Sequence, residues 1–262
     1  LRNKLIVFDY SGTLSLEAVS FSRSDNLLRQ LRTSGLFALG VDSTGLFWKI
    51  INESWIKGST TPAGYKTIMQ ECIYKLLPEK TRTAEPEISR AVSGFVDAYL
   101  DCSRIDDSWR GILEKLSQNN FVQVVIATDH YAEATEAIIA HLGKWNITAA
   151  VLADNVRNNF VVANSAGIGW HKDKQQFWQA VKDALPFDYT RVLLIDDFGR
   201  NEQTGDSYGN ITKVDKRRQE TINMLQLMFT ADIEAVSFIL SDKDPGRLIA
   251  ETSAMIERFL SE

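Results

Sequence analysis

Leu5-Ile6-Val7-Phe8-Asp9-Tyr10-Ser11-Gly12-Thr13-Leu14 is an unbroken apolar run that stops at a carboxylate and then turns through a glycine. Two later stretches repeat the form. Val124-Val125-Ile126-Ala127 runs into Thr128-Asp129, and Val192-Leu193-Leu194-Ile195 runs into Asp196-Asp197. Continuous apolar runs of this length suit strands covered on both faces, as in a parallel sheet between helix layers. Ligands of such sheets bind outside the strands' carboxyl ends. The polar residues that end the three runs are therefore expected to converge on one site, although they lie far apart in the chain.

Working outward from the first run, the chain then shows helical spacing only. Apolar residues recur three and four apart around Leu27 and Leu31, Phe47 and Ile51, Ile68 and Cys72, and Val92 and Val96, which predicts at least four helices. Breakers fall at Thr33–Gly35, Lys57–Gly64 and Pro78–Pro86. From Trp109 the pattern alternates: helix 108–118, strand 121–127, helix 132–142, strand 149–153, helix 173–185, strand 191–195. A polar loop to Gly209, a helix at 215–228, a strand at 234–240 and a helix at 246–260 complete it. Alternating units of this kind give an α/β fold with a doubly wound parallel sheet. The expected division is a core of residues 1–14 and 105–262 and an all-helical insertion of residues 15–104.

Size and charge narrow the function. A chain of 262 residues holds a sizeable core, and no apolar stretch reaches the roughly 20 residues needed to span a bilayer. A soluble, cytoplasmic protein without a membrane partner is expected. A net charge of -5 offers nucleic acid little attraction. The basic group Lys213, Lys216, Arg217 and Arg218, placed just before a helix, reads as a solvated face. Cys72 and Cys102 show no metal spacing and read as reduced thiols.

The strand ends carry the chemistry. Asp9, at the end of a buried strand and before a glycine turn, can attack phosphorus to form an aspartyl-phosphate, or can cap the turn. Gly12 and Thr13 bring backbone amides and a hydroxyl towards a bound anion. Thr128 can donate to a phosphoryl oxygen, with Asp129 beside it, and either residue can equally cap the helix that follows. His130 reads as a proton carrier or a surface residue. Lys172, or less well Lys174, supplies the cation that crowded anions need. Asp196-Asp197 at a buried strand's end suit magnesium, with helix capping or an ion pair to Arg200 as the other account.

Taken in order, these elements resemble the haloacid dehalogenase-like hydrolase superfamily along nearly the whole chain. Asp9-Tyr10-Ser11-Gly12-Thr13 matches the first motif, Thr128 the second, Lys172 the third and Asp196-Asp197 the fourth, with Asn201 assisting. The resemblance implies a Rossmann-like core and a C1-type helical cap that selects the substrate. It further implies magnesium held by Asp9, Asp196, Asp197 and the Ser11 carbonyl, with phosphoryl hydrolysis of a small phosphorylated metabolite. Asp9, Ser11, Thr128 and Lys172 are then the catalytic positions, and Gly12, Thr13, Thr128, Asp129 and Lys172 hold the substrate.

One position departs from the pattern. The superfamily's phosphatases carry a second aspartate where this chain has Ser11, and a serine hydroxyl is no acid-base group near neutral pH. Such catalysis is typically worth about 10²–10⁴-fold. The resemblance therefore also admits a phosphonate-cleaving enzyme, for which no lysine among Lys49, Lys57 and Lys66 stands out, and a catalytically weak or silent protein that binds a phosphorylated ligand or a partner. Dehalogenases of the superfamily work without a metal, so the intact acid pair speaks against that chemistry. Trp48, Trp55 and Tyr65 are assigned to packing between helices, with the lining of a cavity as the alternative.

Overall fold

The computed structural model describes residues 3–78, 84–152, 158–203, 205–207, 209–240 and 244–262. Six strands make one parallel sheet in the order β3-β4-β2-β1-β5-β6: β1 (Lys4–Phe8), β2 (Val122–Thr128), β3 (Ala149–Val151), β4 (Phe160–Asn164), β5 (Arg191–Asp196) and β6 (Asp232–Ser237). The three quoted runs are neighbours, with β1 in the middle and Phe8 beside both Ile126 and Ile195. Alternate residues of β1 point to opposite faces, as the pleat requires. Ile6 and Phe8 join a core with Trp109, Ile138 and Phe259, whereas Leu5 and Val7 join another with Phe177, Trp178 and Leu225. Burial on both faces is why the run is apolar throughout.

Between β1 and residue 105 the described residues form the helices α1 (Glu17–Phe21), α2 (Ser24–Ser34), α3 (Thr44–Ser59), α4 (Tyr65–Leu76) and α5 (Glu85–Cys102). They enclose a third apolar cluster, built from Leu27, Leu31, Ile50, Met69, Val92 and Phe95 among others, and among the described residues it takes only Tyr131 from beyond α5. Glu133 ties the insertion to the sheet by accepting the Tyr65 amide at 2.7 and 2.9 Å, at the start of α4. A 3-10 turn and α6 (Arg110–Ser117) lead into β2, and α7 (Glu133–Lys144), α8 (Ser165–Ile168), α9 (Gln175–Ala184), α10 (Ile211–Phe229) and α11 (Pro245–Ser261) complete the chain.

Some expectations need correction. β4 is absent from the sequence reading, which passes from a strand at 149–153 to a helix at 173–185; the polar residues before Phe160 disguise a short strand that pairs with β2. Residue 153 itself lies outside the described residues, as do 79–83 of the loop expected at Pro78–Pro86 and residues 204 and 208 of the loop expected up to Gly209. Pro86 sits in the first turn of α5, where a missing N–H costs nothing. Lys57–Ser59 belong to α3 and do not break it. Gly58 is there for close approach, since an added Cβ would lie 2.3 Å from a Tyr131 ring carbon. The basic group lies within α10, and Arg217 turns inward to donate to the Phe198 carbonyl at 2.5 Å. Cys72 and Cys102 are both free. Among the described residues, no helix is long and apolar enough to cross a membrane.

Candidate active site

Asp9 follows β1 directly, and its amide still donates to the Ile195 carbonyl at 2.9 Å, so the sheet's own hydrogen bonding aims the residue. The chain then folds back: Leu14 and Ser15 donate their amides to the Tyr10 carbonyl, and Gly12 donates to Ser15. Gly12 holds φ +74°, and a Cβ there would stand 2.8 Å from an oxygen of Asp197. Glycine is needed for both reasons.

The turn after β5 fixes the acid pair. Asp196 accepts the Phe198 amide at 2.6 Å; Asp197 accepts the amides of Gly199 at 3.1 Å and Asn201 at 2.8 Å. Phe198 takes φ +55° to make this possible, a left-handed conformation that only burial of its ring in the core sustains. Thr13 accepts the Asp197 amide at 3.1 Å, and Asn201 bridges the carbonyls of Gly12 and Phe238 at 2.7 and 2.9 Å. Gly12, Thr13 and Asn201 thus brace Asp197 from behind. Neither Gly12 nor Thr13 faces the cavity described below.

Lys172 is fully inside. Its Nζ donates to Asp9 Oδ1 at 2.5 Å and to Asp196 Oδ2 at 2.9 Å, its amide to Asp129 Oδ1 at 2.9 Å, and its carbonyl accepts the Trp178 indole at 2.7 Å. Lys174 is exposed and pairs with Asp173, which decides between the two lysines. Asp129 does not cap α7, whose N-cap position is Ala132; it positions Lys172 instead. Thr128 Oγ1 is buried without a hydrogen-bond partner, an unusual state for a hydroxyl and one that a phosphoryl oxygen would relieve. Because α7 begins only at Glu133, its amino terminus does not lie directly behind Thr128.

His130 is no surface residue: Nε2 meets the Tyr99 hydroxyl at 3.0 Å, Nδ1 has no partner, and burial lowers its pKa to about 4. It stays neutral near pH 7 and is a poor proton donor. Ser11 meets a residue that sequence reasoning passed over. Ser11 Oγ donates to Glu202 Oε1 at 3.0 Å, and burial, then Asp206, raise the Glu202 pKa to about 7 against the opposing effect of Ser11 and Arg217. Nothing in the spacing of Glu202 within its polar loop would have singled it out.

Oxygens of Asp9, Asp196 and Asp197 all lie within 4.8 Å of one another, and all three side chains are buried. One lysine faces three carboxylates. Although Lys172 touches Asp9, burial outweighs it and, with Asp196 adding repulsion, carries the Asp9 pKa up to about 7. The lysine is shared, so it compensates each acid only in part. Asp197 is likewise raised, first by burial and then by Asp9 and Asp196. Hard oxygen donors with surplus negative charge fit magnesium, which commonly takes one or two carboxylates and completes its shell with water and phosphate.

Above Asp9 opens a cavity of about 70 Å³, walled by Ser11, Thr128, Asp129, His130, Glu202 and Asp206 and by rings from α3, α4 and α5. Trp48, Trp55 and Tyr65 are among its walls while also packing on other aromatic rings, so their assignment to packing alone does not hold.

Fold and site together define a parallel α/β protein with a carboxylate-lysine centre at the strand ends beneath a helical cover. Among solved structures it is similar to a 2-haloacid dehalogenase from Pseudomonas syringae pv. Tomato, at 16% identity over 77% of this chain and 81% of that one, with a TM-score of 0.49. It is also similar to an L-2-haloacid dehalogenase from Xanthobacter autotrophicus with chloropropionic acid covalently bound, at 13% identity, 98% and 99% coverage and a TM-score of 0.46. No protein-family model and no curated protein matches the sequence.

Proposed function

We propose that this chain is a haloacid dehalogenase-like hydrolase that cleaves a small phosphate ester through an aspartyl-phosphate on Asp9. The observation that supports it most is Lys172, one buried cation gripping both Asp9 and Asp196 beside a third acid. A nucleophilic carboxylate needs its rotation fixed and its charge favoured; Lys172 on Oδ1 fixes the rotation, offsets part of the effect of burial on the charge, and leaves the other oxygen for phosphorus. Asp9, Asp196, Asp197 and the Ser11 carbonyl would hold magnesium, which when bound offsets charge between nucleophile and phosphate. Thr128 Oγ1 donates to a phosphoryl oxygen.

Glu202 is the proton carrier in this reading. It reaches the cavity from the loop after β5 and stands one hydrogen bond from Ser11. As Asp9 attacks, the bond from phosphorus to the ester oxygen breaks and that oxygen takes the Glu202 proton. The carboxylate then draws a proton from the water that hydrolyses the acyl-phosphate, and both residues return to their starting state.

Phosphate release across phosphate esters and phosphonates, with magnesium and with chelator, tests the reading. Magnesium-dependent release that Asp9→Asn abolishes without unfolding the protein is expected; undiminished turnover by that variant would remove Asp9 as nucleophile. In single-turnover formation of the aspartyl-phosphate, the step in which the leaving group departs, Glu202→Gln should slow alkyl esters by about 10²–10⁴-fold and p-nitrophenyl phosphate far less, because nitrophenolate leaves without a proton. Equal losses on both would remove the acid role.

A further inference from the structure

Resting on the hydrolase reading, we propose that the cavity above Asp9 is a cation subsite, so that the group esterified to phosphate is a small amino alcohol carrying a substituted ammonium. Its walls combine two features. Phe47, Trp48, Tyr65 and Tyr99 present aromatic surface, and Asp206 adds a carboxylate from the loop after β5. Phe47 and Trp48 meet at 75° with centroids 5.2 Å apart, and Tyr65 and Tyr99 at 89° and 5.7 Å. Perpendicular pairs turn ring planes in different directions, and Tyr65 has one face taken by Tyr131 stacked at 4.0 Å, so the rings wall the cavity from several sides rather than as a single stacking surface. Ring faces carry negative potential and attract ammonium groups, most strongly once these are desolvated.

The charges around the cavity point the same way. None of the described wall residues is a lysine or arginine, whereas Asp9, Asp129, Glu202 and Asp206 are all acids. Two cations close by are engaged: Lys172 with Asp9 and Asp196, and Arg217 with the Phe198 carbonyl and, through its charge, with Glu202. Beyond the phosphate, an anionic remainder would meet Asp206 and ring faces, and like-charge juxtaposition is strongly unfavourable. A polyhydroxylated remainder would bury hydroxyls against ring carbon, with few partners for them.

The loop bearing Asp206 is also held in place. Asn52 of α3 donates to the Gly205 carbonyl at 3.2 Å and accepts the Ser207 amide at 3.1 Å. Gly205 lies so close under Trp48 that an added Cβ would stand 2.4 Å from the indole. The acid and the neighbouring ring are therefore set relative to one another by the same contact.

The test is binding of tetramethylammonium to the full chain, by calorimetry and tryptophan fluorescence, against tert-butanol as its neutral counterpart of similar shape. Saturable binding at least about tenfold tighter than tert-butanol, weakened severalfold by Asp206→Asn and by Trp48→Ala, is expected from a few ring contacts and one carboxylate. Equal affinity for the two probes, or affinity untouched by both substitutions, overturns the subsite. This readout needs no turnover. Tight tetramethylammonium binding without hydrolysis of any ester would retain the subsite and discard the hydrolase reading. Hydrolysis of 3,3-dimethylbutyl phosphate as efficient as that of phosphocholine would do the reverse.

Discussion

Replacing Lys172 by methionine keeps most of the side chain's packing and removes only its charge. In the folded protein Nζ lies 2.5 Å from Asp9 and 2.9 Å from Asp196, with the whole residue 3% exposed. Without it, three buried carboxylates face one another with no cation among them. Breaking a buried ion pair by deleting one partner typically costs about 3–5 kcal/mol, because the remaining charge is neither solvated nor paired. Protonating Asp9 limits the loss, since its pKa already stands at about 7. We expect Lys172→Met to be about 3–5 kcal/mol less stable than the parent in urea with chelator present. We also expect magnesium to restore more stability to the variant than it adds to the parent, because the cluster then has one positive charge fewer of its own. Tryptophan emission is a suitable probe, as Trp178 donates to the Lys172 carbonyl. A variant within about 1 kcal/mol of the parent in chelator, or one that magnesium does not help, would refute this account of the site's charge.

Gly12→Ala should lose about 1–2 kcal/mol to its left-handed backbone and more in pushing the Asp197 carboxylate aside, so urea midpoint and magnesium affinity should fall together; a parent-like titration would mean Asp197 is not displaced. His130 is held near pKa 4 when folded against an ordinary 6.5, so the unfolded chain binds the extra proton between those values and stability falls as pH drops through that window. At 1.36 kcal/mol per pKa unit the effect reaches about 3 kcal/mol, and His130→Gln should flatten the parent's pH dependence of stability by that amount; superimposable profiles would refute it. Ser11→Asp alone should not raise activity, because the new carboxylate would face Glu202, whereas Ser11→Asp with Glu202→Gln should recover much of what Glu202→Gln loses on alkyl esters; a double variant no faster than Glu202→Gln alone would contradict that.

The central strands were legible because the interiors of β1, β2 and β5 are buried on both faces and apolar apart from Gln123, whose side chain donates to the carbonyls of Asn158 and Asn159. Legibility failed where a residue's role depends on what approaches it. Gly58 looks like a helix breaker until the Tyr131 ring is seen against it, and β4 looks like loop until β2 is beside it. Lys172 and Lys174 are two positions apart and chemically alike, yet one is buried against two acids and the other is exposed. Asp129 invited a capping role that falls instead to no side chain at all, because the helix starts later than its polarity suggests.

Position 11 best explains why the sequence alone could not settle activity. A serine there removes an acid from the turn after β1, and from the chain's linear order the loss looks final. In the fold the Ser11 hydroxyl is instead a donor to Glu202, which arrives from the far side of the site. A proton carrier on that loop differs from one on the turn in one respect. The turn is braced by the sheet, but the loop is held at Gly205 and Ser207 by Asn52 of the helical insertion. Seating of the insertion and placement of the acid are therefore linked, so in the proposed mechanism the group that would deliver the proton is ordered by the same contacts that set the aromatic walls of the cavity.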